Sequence, residues 1–89
     1  MKFDWDADKA AINLQKHGVS FDEAASVFGD PFSLTATDPL HSSTEDRFVD
    51  IGYSAQGRLL IVVYVERENR IRIISSRKAT SAERQTYEA

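Results

Sequence analysis

Cysteine is missing altogether from the 89 residues, proline occurs twice and glycine four times. Without thiols, a disulfide framework and a thiolate metal site are both excluded. Two histidines, His17 and His41, are a thin set for any other metal centre. The glycines stand singly at helix stops and turns, which rules out a P-loop and a dinucleotide fingerprint. HExxH spacing is missing too, and no serine carries the flanking glycines of a nucleophile elbow. The longest apolar run, Leu59 to Val65, falls far short of the ~20 residues a membrane span needs. The first eight residues hold three Asp and no apolar stretch, unlike a signal peptide. A chain of this size accommodates one core, with somewhat over ~60% of the unfolded surface buried. The expectation is a single cytoplasmic domain, 1–89, without cofactor, metal or membrane contact.

The formal net charge of −3 argues at first against a nucleic-acid partner. Its distribution argues otherwise. Residues 1–45 carry three Lys against eight acids, whereas residues 46–89 carry seven Arg and one Lys against six. Between Arg58 and Lys78 there are six bases and two acids. Such asymmetry between halves is informative where the mean is not.

Lys2 to Trp5 alternates like a short strand. Asp6 can cap a helix in which Ala7, Ala10, Ala11 and Leu14 recur at helical spacing. Lys16 and His17 suit the negative end of its dipole, and Gly18 the left-handed stop. Ser20 and Glu23 form a capping box for a second helix carrying Phe21, Ala24, Ala25 and Phe28, ended by Gly29, Asp30 and Pro31. Phe32 to Thr37 reads as strand and Asp38 to Thr44 as a polar loop. Arg47, Val49, Ile51 and Tyr53 share one strand face, opposite Phe48 and Asp50. After a turn at Ser54 to Gly57, Leu59 to Val65 reads as a central strand buried on both faces. Glu66 to Asn69 turns the chain into the alternating Arg70 to Ser75. Thr80 with Glu83 opens a terminal helix reaching about Tyr87. Grouped, hairpin-connected strands with helices on one side make an α+β fold with an antiparallel sheet.

Chemistry concentrates in the arginines of the last strands. Period-2 geometry sets Arg70 and Arg72 on one face, with Ile71, Ile73 and, by extension, Arg77 on the other. Arginines at strand ends can clamp phosphates bidentately; Arg70 and Arg72 read better as solvent-face decoration beside Glu66 and Glu68. Arg77 is less well explained that way. His17 reads as a helix-dipole partner and His41 as a solvated loop residue, or, with Glu45 and Arg47, as part of a proton shuttle and phosphate ligand. Arg47 faces the same way as Val49 and Ile51 and needs a partner, for which Glu45 or Glu66 is suited. Tyr53, Tyr64 and Tyr87 read as amphipathic core residues or as stacking platforms for bases. A metal-free RNA cleaver fits this inventory. Arginine would stabilise the strained phosphate, and His41, Glu45 or Tyr87 would move the protons.

The chain resembles the BrnT family of type II toxin–antitoxin toxins. The resemblance rests on Phe3-Asp4-Trp5-Asp6, Lys9-Ala10, Asn13 and Lys16-His17-Gly18-Val19-Ser20-Phe21. It continues through Glu23-Ala24, Val27-Phe28, Asp30-Pro31, Glu45, Arg47 and Ile51-Gly52. Ile71-Arg72-Ile73-Ile74-Ser75, Arg77, Ala79, Glu83-Arg84 and Tyr87-Glu88 complete it. It spans essentially the whole chain. It implies a RelE-like fold: a small antiparallel sheet with an N-terminal strand, two packed helices and a short C-terminal helix. It further implies a bacterial endoribonuclease that arrests growth by inhibiting translation and is neutralised by a BrnA-type ribbon-helix-helix antitoxin. DNA would be met only through the antitoxin, and a homodimer or a heterotetramer with antitoxin would be the assembly. Lys16, His17, Glu45, Arg47, Arg77, Glu83, Arg84 and Tyr87 match pattern positions; Arg67 suits the role by its strand-end place alone, and His41 falls in a variable loop. The resulting catalytic set is Arg77, Arg47, Glu45, Arg67 and Tyr87. The substrate-binding set is Arg72, Lys78, Arg84, His41, Lys16 and His17. The alternative is a decayed, non-catalytic toxin that binds an antitoxin and modulates repression.

Overall fold

The structure, a computed structural model, describes residues 1–38 and 46–89. His41, Glu45 and nearly all of the expected polar loop lie outside the described residues. The elements follow the order β1 (Lys2–Asp4), α1 (Ala7–His17), α2 (Phe21–Ser26), β2 (Leu34–Thr37), β3 (Arg47–Tyr53), β4 (Leu59–Arg67), β5 (Arg70–Lys78) and α3 (Ser81–Glu88). A single 3-10 turn, Val27–Gly29, continues α2 where the sequence suggested unbroken helix. All five strands form one sheet in the order β1-β5-β4-β3-β2.

The local signals explain most of these boundaries. Asp6 accepts from the Lys9 amide at 3.0 Å and starts α1, and Gly18 ends it at φ 69°. Ser20 caps α2 through the Glu23 amide. Thr80 and Glu83 exchange both capping-box bonds at the start of α3. Strands β4 and β5 are joined by Glu68 and Asn69, both at positive φ, the two-residue turn whose twist matches paired strands. One expectation fails. The sheet is mixed, because β1 pairs parallel with β5, Lys2 against Arg70 and Asp4 against Arg72. A parallel partner requires a crossover, and here nearly the whole chain supplies it.

The helix-side face of the sheet holds the main core. Val19, Phe21, Ala24 and Val27 meet Leu60, Val62, Tyr64, Ile71 and Ile73 there. Burying side chains of this size stabilises by roughly 1.5–3 kcal/mol each, before entropy is counted. A smaller cluster of Ile51, Leu59 and Ile61, with Val49, Tyr53, Ala79 and Tyr87 against it, occupies the opposite face. Strand β4 is therefore central and apolar on both sides, as its unbroken run implies.

Two departures from simple periodicity decide which side chains reach the open face of the sheet. Ile73 pairs with Tyr64 but Ser75 pairs with Val63, so Ile74 is an extra residue in β5. That bulge reverses the facing of the rest of the strand. Ser76 turns towards the helices, and Arg77, opposite Ile61, joins the far face rather than the face of Ile71 and Ile73. Helix α1 is likewise rotated from its apparent apolar face. Leu14 is 52% exposed, while Asn13 is 6% exposed and faces inward.

Asn13 is tolerated in the interior because all its bonds are made. Its amide donates to the Val19 carbonyl at 2.9 Å and the Ser76 carbonyl at 2.8 Å, and its oxygen accepts from the Ser76 amide at 3.1 Å. Glu23 is a second buried hub, receiving Arg58 Nε at 2.9 Å, a second bond from Arg58 Nη2 and Ser54 Oγ at 2.7 Å. The Arg58 bonds hold the Glu23 carboxyl below its ordinary range, against the opposing effect of burial. Removing the Asn13 side chain leaves three backbone groups unpaired. Asn13→Ala is expected to cost about 3 kcal/mol, lowering the thermal midpoint by ~10 °C or more. Ile12→Ala, at a position 61% exposed, should stay within ~0.5 kcal/mol in the same melting experiment.

Candidate active site

Among the described residues, α3 covers one end of the sheet face away from α1 and α2. Directly paired residues share a face, so the pairings map this surface in rows. Arg47, Val65 and Arg72 form one row, Val49, Val63 and Ser75 the next, and Ile51, Ile61 and Arg77 the third. Tyr53 and Leu59 follow under α3. Rows on one face are two residues apart, so the first and third are separated by about 13 Å.

A cavity of about 330 Å³ opens over the middle and third rows, with Val49, Ile61 and Val63 as its floor and Ser75, Arg77, Glu83 and His17 around it. His17, one helical turn beyond Asn13 on α1, reaches the cavity together with Ser76 round the edge of β5, which β1 pairs only over Arg70 to Arg72. Arg77 is positioned by Glu83 of α3 through two parallel bonds, Nη1 to Oε1 at 2.8 Å and Nη2 to Oε2 at 2.9 Å. Glu83 Oε1 also accepts from the Thr80 amide at 2.8 Å. The Arg77 bonds bring the Glu83 carboxyl down to about 2, with burial opposing. The same pairing raises the Arg77 guanidinium above its ordinary value.

The remaining residues singled out by sequence are more scattered. Arg47 and Arg72 stand in the first row, and Arg72 donates to Asp4 at 3.1 Å. Arg67 ends β4 opposite Arg70, itself 3.6 Å from Asp4. Tyr87 lies on α3, and its hydroxyl donates to Asp30 Oδ2 at 2.6 Å while its ring meets Tyr53 edge-on at 5.4 Å. That bond to the carboxylate, with burial adding to it, raises the Tyr87 hydroxyl to about 12. Asp30 also accepts from the amides of Phe32 and Tyr53, and Gly52 lets it approach, since a Cβ there would meet Val27 Cγ1 at 3.0 Å and Asp30 Oδ2 at 3.2 Å. Tyr87 thus fastens α3 to the rest of the molecule. Lys78 and Arg84 lie around a second cavity beside Tyr53, and Lys16 is exposed on α1.

Arg77 and His17 are therefore brought to one cleft, and Arg47, Arg67, Arg72 and Tyr87 are not. Glu83 and Ser75, although they belong to the stretches that carry the family resemblance, stand in neither the catalytic nor the substrate-binding set expected from the sequence. Glu83 looks fully explained as a capping-box residue, and nothing one-dimensional shows its second role. Among the described residues, no three His, Asp or Glu side chains gather where a metal ion could be held. No described helix is long and apolar enough to cross a membrane.

Chemically, the cleft offers a guanidinium for an anionic group and an imidazole for proton transfer over an apolar floor. Comparison with curated protein sequences finds no match. The crystal structure of the Brucella abortus ribonuclease toxin BrnT is similar at TM-score 0.67, with 23% identity over 91% of this chain and 99% of that one. At that identity the likeness speaks for the fold: an α+β arrangement of a five-stranded sheet and three helices. The family model described as the ribonuclease toxin, BrnT, of type II toxin–antitoxin systems matches residues 5–83, nearly the whole chain. The chain belongs to the BrnT family of ribonuclease toxins of type II toxin–antitoxin systems, which implies an antitoxin partner.

Proposed function

We propose that the protein is a metal-independent endoribonuclease of RelE-like type that cuts RNA at the Arg77 cleft and thereby inhibits translation. Its antitoxin would be a BrnA-like ribbon-helix-helix protein, through which alone it would meet DNA. The observation that carries the reading is the placement of Arg77 and His17 around one cleft on the open sheet face.

Cleavage requires the ribose 2′-hydroxyl to lose its proton as O2′ bonds to phosphorus. The bond from phosphorus to O5′ then breaks, and O5′ takes up a proton. The products are a 2′,3′-cyclic phosphate and a 5′-hydroxyl. Arg77 is suited to the charge that builds on the phosphoryl oxygens, because a guanidinium matches two of them at once. His17, in the lining of the same cleft, is suited to proton transfer, whereas the Glu83 carboxylate there is engaged by Arg77. Arg47, Arg67, Arg72, Lys16, Lys78 and Arg84 then serve the RNA backbone on either side. Tyr87 acts through α3, since its raised hydroxyl is a poor base and is already bonded to Asp30.

In the resting protein the Arg77 fork holds a carboxylate, so a phosphate binds there by exchange with Glu83. Glu83→Gln should therefore bind an uncleavable 2′-O-methyl RNA several-fold more tightly in fluorescence anisotropy, and unchanged or weaker binding counts against phosphate capture by Arg77. The pair also has a pH signature. Glu83 sits at about 2 when folded, below the ordinary carboxylate value of 4.5. It therefore stabilises the fold above that ordinary value, and the contribution fades as pH falls towards about 2. Wild type should exceed Glu83→Gln by about 1 kcal/mol at neutral pH, a modest figure because both side chains are partly exposed, and the gap should close on acidification.

The decisive measurement is cleavage of end-labelled RNA by purified protein in EDTA. Wild type should cut, and Arg77→Ala should lose ~100- to 1000-fold in rate while keeping its circular dichroism spectrum. A folded Arg77→Ala protein that cuts normally removes Arg77 from the site. A wild type that never cuts favours the non-catalytic antitoxin-binding module instead.

A further inference from the structure

Beyond α3 from the Arg77 cleft lies a second cavity, of about 320 Å³, with Arg58, Lys78, Arg84 and Tyr53 in its wall and no acidic residue among its described lining. We propose that it is a second phosphodiester-binding subsite, holding the RNA backbone one or more nucleotides from the phosphate at Arg77. The proposal rests on the reading of RNA as substrate and extends it to a part of the surface that the Arg77 cleft does not reach.

The placement follows from two consecutive pairs of residues. Arg77 and Lys78 are neighbours at the end of β5, and strand alternation sends their side chains to opposite sides. Glu83 and Arg84 are neighbours on α3; the first reaches Arg77 and the second donates to the Tyr53 hydroxyl at 3.0 Å. Helix α3 thus stands between an arginine cleft and a cationic pocket, both open at the end of the same strand. A polymer crossing that strand end can engage both, whereas a single small anion can occupy only one.

The donors in the pocket are arranged for an anion. Arg58 is anchored by Glu23 and donates to the Gly18 carbonyl at 3.0 Å, which fixes its guanidinium at the wall. Tyr53 accepts from Arg84, leaving its own hydroxyl hydrogen for an incoming oxygen. Lys78 is exposed and adds a mobile ammonium. The nearest carboxylates are Glu23, engaged by Arg58 and Ser54, and Glu88, 3.8 Å from Arg84. In contrast to Arg77, neither Lys78 nor Arg84 is held in a bidentate carboxylate pair among the described residues. A phosphate entering here displaces less.

The test uses full-length protein and 2′-O-methyl RNAs of two and six nucleotides, with binding read by fluorescence anisotropy across a salt series. Lys78→Ala and Arg84→Ala should each weaken binding of the hexanucleotide by ~5- to 10-fold and lower the salt slope by about 1. Dinucleotide binding should change by less than ~2-fold, because two nucleotides are held at Arg77 alone. Melting curves establish that each variant is folded, and Lys78→Glu, which should weaken the hexanucleotide further, does not touch the Arg84–Tyr53 bond. Unchanged hexanucleotide affinity, or an equal loss on both lengths, overturns the second subsite. So does saturable binding of inorganic phosphate at Lys78 and Arg84 without effect on RNA, which would make it a free-anion site. These failures are distinct from failure of the ribonuclease reading, in which wild type binds neither RNA and the proposal falls with it.

Discussion

Between Ile73 and Ser75, strand β5 carries one more residue than the strand beside it, and the facing of Ser76 and Arg77 depends on that excess. Before the bulge, Ile71 and Ile73 feed the main core. After it, the alternation is inverted. Ser76 turns inward, where its amide and carbonyl are both taken by Asn13, and Arg77 turns outward onto the open face. A regular strand would pair Arg77 with Leu60 and turn it to the helix side, the position Lys78 now holds. The bulge re-aims Arg77 onto the other face, where it meets Glu83 of α3.

The second determinant is the fastening of α3. An eight-residue helix is far too short to persist alone in water. It is held at its start by the Thr80–Glu83 capping box and by Arg77, and at its end by the bond from Tyr87 to Asp30. Asp30 in turn depends on Gly52 for its close approach to β3. Glu83 therefore shapes the site in two ways at once. It orients the Arg77 fork, and on the proposed reading it occupies the place that a substrate phosphate would take.

Much of this architecture is legible in the chain. The Thr80–Glu83 capping box, the Ser20 cap, the Gly18 stop, the central β4 run and the facing of Arg47, Val49, Ile51 and Tyr53 follow from spacing and are found where spacing puts them, whereas the Glu23 carboxylate, expected to close a second capping box, goes to Arg58 and Ser54 instead. The illegible part arises from pairing at long range. The parallel β1–β5 ladder joins residues at opposite ends of the sequence, and three residues leave no trace of their partner. The inward face of α1 is set by a polar residue, Asn13, which a hydrophobic pattern ignores; Leu14, which the pattern favours, is half-exposed. His17 reads as a dipole partner because its neighbour across the cleft, Arg77, lies 60 positions on and regular alternation assigns it to the other face of β5. A bulge of one residue has no signature in an Ile-Ile-Ser-Ser stretch.

The acidic mean charge is resolved by the work of the carboxylates. Asp6 caps α1, Glu23 receives Arg58 and Ser54, Asp30 receives Tyr87 and two amides, and Asp50 receives Tyr64 at 2.8 Å and Thr35 at 2.7 Å. Most of these acids belong to the N-terminal half, and they accept donors that folding would otherwise leave unpaired. They contribute little to the field over the open face, because the field there is decided by the groups nearest to it. Those groups are arginines, and several already hold a carboxylate: Arg72 with Asp4, Arg77 with Glu83. The face is thus a set of ion pairs rather than a bare cationic patch. On the proposed reading a phosphate backbone binds such a surface by replacing carboxylates, so each contact contributes the difference between two anions and not the full Coulomb term. Affinity then grows with the number of phosphates engaged at once, which favours an extended RNA over any single nucleotide.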